Sequence, residues 1–160
     1  MPNRWYLTSY VVCCAGLVLA QQPKKEKMTH HATGPFAVKL TPQPPEGENT
    51  TLGRMTIDKQ FHGELEAVSQ GQMLSALTST KGSAGYVAME VVKGTLGGHK
   101  GTFVLQHSGT MDRGESQLSV TVVPDSGTGE LRGLSGSMKI RIEAGGKHFY
   151  DFDYQMAETP

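Results

Sequence analysis

The chain has 160 residues, 37% hydrophobic and 19% charged, which suits one domain around a single core and is too apolar for a disordered chain. Fifteen basic side chains balance fifteen acidic ones, and no basic stripe appears, which excludes a nucleic-acid backbone footprint. Twenty glycines scattered among short apolar runs favour turns and strands over long helices.

The first segment, MPNRWYLTSYVVCCAGLVLA, carries one positive charge at Arg4, an apolar stretch from about Tyr10 to Leu19, and small Ala20 two residues after Val18. This fits a signal peptide cleaved before Gln21, and the stretch is shorter than the about 20 residues of a membrane span. Lipidation at Cys13 or Cys14 fits less well, because Val12 is not the small residue such processing wants. Removal of residues 1–20 takes only Arg4 from the charge balance and leaves a net −1. Both cysteines lie in this segment, so the remaining chain has neither a disulfide framework nor thiolate chemistry. A secreted or periplasmic protein is therefore expected. The rival is translation from Met28, which would give a cytoplasmic one.

Residues 21–31, QQPKKEKMTHH, are a polar and flexible lead-in, followed by a domain over 32–156 and a short tail over 157–160. Within the domain the period is two. Phe36, Val38 and Leu40 alternate with Ala37 and Lys39, and a Pro-rich loop, TPQPPEGENTT, follows. Met55, Ile57 and Phe61 share one face of RMTIDKQF, and His62-Gly63 turns the chain into LEAVSQGQMLSALTST, read as one strand with a bulge at Gly71. GYVAMEVVKG, TFVLQHS and QLSVTVV are the next three strands. SMKIRIE and HFYDFDYQM alternate most cleanly, and AGGK turns one into the other. The pattern predicts an all-β fold of about eight antiparallel strands, a closed barrel rather than a sandwich.

The glycine-rich run VVPDSGTGELRGLSG raises the question of a phosphate loop. A P-loop needs GxxxxGK[ST] leading into a helix. Here Gly127, Gly129 and Gly133 have the wrong spacing, no Lys-Ser/Thr follows, and the next element alternates as a strand. The dinucleotide fingerprint fails in the same way. Pro124-Asp125-Ser126-Gly127 is turn chemistry, so the run is expected to turn a hairpin.

SGTGELRGLSG also resembles the Gly-Thr-Gly-x-Phe/Leu…Gly hairpin of allene oxide cyclase and dirigent barrels. More closely, the chain is similar to an uncharacterised bacterial domain-of-unknown-function family with an allene-oxide-cyclase-like barrel. The segments that carry the likeness are THHATGPFAVKL, LGRMTIDKQFHGELEA, GSAGYVAMEVVKGTL, GTFVLQHSGTM, LSVTVVPDSGTGELRGLSG and HFYDFDY, spanning nearly all of residues 29–156. The resemblance implies a barrel fold and, since that family has no established activity, no reaction.

In such a barrel alternate residues of each strand face the lumen. Glu90 shares parity with Tyr86, Ala88 and Val92, and His107 with Phe103 and Leu105. A carboxylate and an imidazole on otherwise apolar faces suggest a buried acid/base pair, Glu90 and His107, set against the alternative of polar groups satisfied within a core. Tyr86, Phe103, Tyr150 and Tyr154 are the expected ligand-binding residues. Asp58 and His62 are read as an exposed pair at a strand end, Asp151 and Asp153 as a solvated outer face, and His30, His31 and His99 match no metal-site spacing. No nucleophile elbow exists, since Gly82-Ser83-Ala84-Gly85 is one residue short. The expected function is binding of a hydrophobic or amphipathic small molecule without a cofactor. A cofactor-free isomerase or cyclase using the Glu/His pair is the alternative, and an oligomerising structural module the third.

Overall fold

The computed structural model describes residues 28–44 and 51–156. The expected signal segment, most of the lead-in, part of the Pro-rich loop and the 157–160 tail lie outside the described residues. Eight strands run in chain order: β1 His30–Gln43, β2 Leu52–Phe61, β3 Leu65–Leu77, β4 Ala84–Leu96, β5 His99–Asp112, β6 Glu115–Val122, β7 Ser135–Glu143 and β8 Lys147–Gln155. Each pairs antiparallel with its sequence neighbour, and β8 closes on β1, so the sheet is a closed up-and-down barrel. Among the described residues the helical content is one 3-10 turn, Gly129–Leu131.

The alternation works as expected: residues of one parity on every strand are buried, and paired residues such as Phe36 and Phe61 point to the same side. Three local expectations change. β1 begins at His30, so His30 and His31 belong to the strand, where they pair with Tyr154 and Asp153 of β8. Gly71 forms no bulge, because the register runs unbroken from Ile57 through Gly71 to Glu90. A Cβ at Gly71 would stand 2.5 Å from the Met89 carbonyl oxygen, so glycine serves close approach of β3 to β4 instead.

The glycine-rich run is more than a hairpin turn. β6 and β7 share a register pair only at Thr121 and Ser137, and residues 123–134 lie along β5 instead. Thr128 N donates to Thr102 O at 2.8 Å, Val123 N to Val104 O at 2.9 Å, and Lys100 N to Glu130 Oε2 at 2.7 Å. The segment thus supplies partners to a stretch of β5 that would otherwise be a bare edge. It also drives Leu131 and Leu134 into the core.

The barrel's two ends differ. At the end formed by the last residues of β2, β4 and β6, the interior is filled by Leu65, Leu96, Phe103, Leu131, Leu134 and Phe152. Tyr150 crosses this end from β8: its hydroxyl donates to His62 O at 3.1 Å and accepts from Leu65 N at 2.9 Å. At the opposite end, inward-facing side chains lose their cover. Leu40, Met111, Leu118 and Ile142 share parity with buried residues yet are 48%, 41%, 45% and 66% exposed. Met111 and Ile142 stand one residue from their strand ends, and Leu118 and Ile142 flank the β6–β7 seam with its one register pair, so solvent reaches the inner wall at this end.

Candidate functional site

Four polar side chains project inward between the filled end and the open one. Lys59 comes from β2, Ser69 from β3, Glu90 from β4 and His107 from β5, all buried. The registers Lys59–Ser69, Gly71–Glu90 and Ala88–His107 put them on one arc of the inner wall. Lys59 Nζ donates to Glu90 Oε2 at 2.6 Å and Ser69 Oγ donates to Glu90 Oε1 at 2.5 Å. His107 Nε2 stands 3.1 Å from Glu90 Oε2, close enough to stabilise the carboxylate but misaligned for a hydrogen bond, and no other group satisfies it. The Lys59 ammonium lies 5.4 Å from the Phe36 ring centroid and 5.6 Å from that of Phe61, both within cation–π range.

Burial pushes the Glu90 carboxyl up, but the His107 imidazole, the Lys59 ammonium and the Ser69 hydroxyl reverse this and hold it at about 2. Glu90 is therefore ionised at neutral pH, and its charge is balanced by Lys59.

Tyr86 stands on β4 two inward positions nearer the open end than Glu90, with Ala88 between them. Burial and the Glu90 charge both raise its hydroxyl's pKa, and among the described residues the hydroxyl has no hydrogen-bond partner. Its ring lies across Gly109 of β5, where a Cβ would collide with Tyr86 Cε1. Toward the mouth most inward positions are apolar, Leu40, Met55, Met73, Met111, Leu118 and Ile142, with Ser75, Ser116 and His148 among them.

The residues expected to form the site divide. Tyr86, Glu90 and His107 come together. Phe103, Tyr150 and Tyr154 sit in the filled end, in the core cluster, and the Tyr150 hydroxyl is consumed by backbone groups. Lys59 and Ser69 were missing from the expected set, although Lys59 shares parity with Ile57 and Phe61 in RMTIDKQF and Ser69 with Leu65 and Ala67. Asp58 and His62 do not meet: Asp58 accepts from Gln70 at 3.4 Å, and His62 lies 3.0 Å from Glu66. Asp151 and Asp153 face outward, with Arg141 2.8 Å from Asp151 and His31 2.8 Å from Asp153. His30 stacks on Tyr154, and no group of three or more metal-ligating side chains converges among the described residues.

Fold and site together define a class: a small antiparallel barrel, filled at one end and open at the other, with a buried charged cluster between. The chain belongs to the DUF3224 family, described as a protein of unknown function, whose family model matches residues 32–154. It is similar to a crystallised DUF3224 protein of unknown function from Shewanella oneidensis MR-1, at 52% identity and a TM-score of 0.77 over 82% of this chain and all of that one. No curated protein matches the chain.

Proposed function

We propose that the barrel binds a hydrophobic or amphipathic small molecule through its open end, with the ligand's polar end directed at the Lys59–Glu90–His107 cluster. The observation that carries this reading is that inward-parity apolar side chains are exposed at one end of the barrel while a cluster of polar side chains is buried beneath them. Ligand sites are mostly apolar concavities with a few convergent polar groups. Along β4, Ala84 at the mouth lies six positions before Glu90, roughly 15 Å of depth after strand tilt. The three methionines on this wall, Met55, Met73 and Met111, suit a lining that adapts to different alkyl chains. The likeness of the glycine-rich run to allene oxide cyclase and dirigent barrels supports a ligand-holding barrel by analogy of fold alone.

Binding stands ahead of catalysis because Glu90 is a poor proton acceptor. A general base works best with a pKa near the operating pH, and Glu90 is held at about 2. Native mass spectrometry of the purified protein, followed by denaturing extraction, tests the reading. A co-purifying lipophilic compound lost on mutation of Tyr86 supports it. Apo protein from every growth condition, with no uptake of added alkyl ligands, overturns it.

A specific observation favours a second reading, self-association through the outer wall. Val68, Leu74, Val87, Met89 and Val91 face outward on β3 and β4 and are all at least 41% exposed. The groove beside them is bordered by Lys39, Lys93 and Asp58, so a second copy of this chain would meet both an apolar stripe and complementary charge. Light scattering of wild type and Val91→Lys decides it: a dimer lost in the variant supports self-association, and a monomeric wild type sinks it.

A further inference from the structure

The charge arrangement in the lumen goes beyond the presence of a ligand and selects its chemistry. We infer that the site takes a neutral oxygenated head group, an alcohol or ketone, in preference to a carboxylate; this rests on the lumenal reading above.

The charges in the lumen are already paired with each other. Glu90 and Lys59 are both buried and joined at 2.6 Å, so Lys59 offers no uncompensated positive charge to an incoming anion. Glu90 has its two oxygens occupied, one by Lys59 and one by Ser69. His107 Nε2 stands 3.1 Å from the same carboxylate without hydrogen-bonding it, so this buried imidazole nitrogen remains for a ligand. Another polar group without a hydrogen-bond partner among the described residues is the Tyr86 hydroxyl, which stands between the cluster and the mouth. A hydroxyl and one imidazole nitrogen pair readily with a neutral donor–acceptor group. A carboxylate entering the same space would give up its hydration and meet an ionised Glu90, with no unpaired cation beside the cluster among the described residues to offset either cost.

The length of the apolar wall suggests ten-carbon probes: 1-decanol, 2-decanone and decanoate, titrated calorimetrically into the full chain at about pH 8, where decanoate is ionised. Wild type is expected to bind the alcohol or the ketone at least about ten-fold more tightly than decanoate. Glu90→Gln removes the negative charge and leaves Lys59 unmatched, so the ratio is expected to move toward decanoate by about ten-fold or more. Wild type binding decanoate as well as or better than the neutral probes overturns the inference while leaving the lumenal site intact. A ratio unchanged in folded Glu90→Gln overturns its electrostatic basis. Failure of all three probes to bind overturns the lumenal reading and the inference together. Should Glu90→Gln not fold, the wild-type comparison alone decides.

Discussion

Lys59 on β2 reaches across β3 to bond Glu90 on β4, Nζ to Oε2 at 2.6 Å, with both side chains almost fully withdrawn from solvent. Burying two charges costs several kcal/mol per ion, and their attraction returns this only with good geometry and additional hydrogen bonds. Ser69 and the Phe36 and Phe61 rings supply that second layer. The pair lies on one wall of a barrel that could have been filled with leucine, as its other end is.

Breaking the pair from one side strands a charge. Lys59→Met and Glu90→Ala are each expected to destabilise the barrel by about 3–5 kcal/mol. The double variant Lys59→Met/Glu90→Leu is expected to recover most of that loss. Urea denaturation at constant slope reads the difference as a shift of midpoint. Single variants that unfold at the wild-type midpoint would contradict a buried, mutually dependent pair.

Glu90 also fixes an acid limb in stability. Its folded pKa, about 2, lies below the ordinary 4.5, so between those values the unfolded chain binds the proton and the native one does not. The stabilisation is complete above about pH 4.5 and is lost as pH falls toward 2, amounting to about 3 kcal/mol. Glu90→Gln is expected to flatten that limb in a pH series of thermal midpoints. An unaltered acid limb in the variant would place the responsible carboxylate elsewhere.

Two tyrosines expected from the sequence to serve a ligand are expected to part company on mutation. Tyr150→Phe removes the acceptor of Leu65 N and the donor to His62 O, so stability falls by about 1–3 kcal/mol while decanol affinity holds. Tyr86→Phe removes a hydroxyl with no hydrogen-bond partner among the described residues, so stability holds while decanol affinity falls about five-fold, the worth of one net hydrogen bond. Matched denaturation and calorimetry on both variants check this. Reversed phenotypes would put the ligand at the filled end.

Gly109 keeps a place for the Tyr86 ring. A methyl there meets the ring carbons Cε1 and Cδ1, so Gly109→Ala is expected to displace Tyr86 and weaken decanol binding at least as much as Tyr86→Phe. Calorimetry on the folded variant tests it, and an unchanged affinity would remove Tyr86 from the site.

The barrel was legible because period two survives in nearly every strand, most plainly in SMKIRIE and HFYDFDYQM. Parity alone also brought Glu90, His107 and Tyr86 together. It could not separate Tyr86 from Tyr150, because alternation tells inside from outside and says nothing of depth along the barrel axis. Lys59 escaped notice because a lysine in a strand reads as solvent-facing until its neighbours in RMTIDKQF are seen to be buried on both sides. The first half of β1 was hidden by Gly34 and Pro35, and residues 123–134 by turn residues that equally suit a segment bound along β5. A glycine at position 71 reads as a bulge or as a close approach from sequence, and only the register distinguishes them.

The methionines offer the most direct test of the central claim, that a ligand enters by the open end. Met55, Met73 and Met111 face inward toward the mouth, Met89 faces outward on β4, and Met138 is buried in the core. With methyl-labelled methionine, an NMR titration with 1-decanol is expected to shift the first three resonances and leave Met89 and Met138 in place. Shifts confined to Met89 would move the ligand to the outer wall, and an unperturbed spectrum at saturating decanol would contradict a lumenal site.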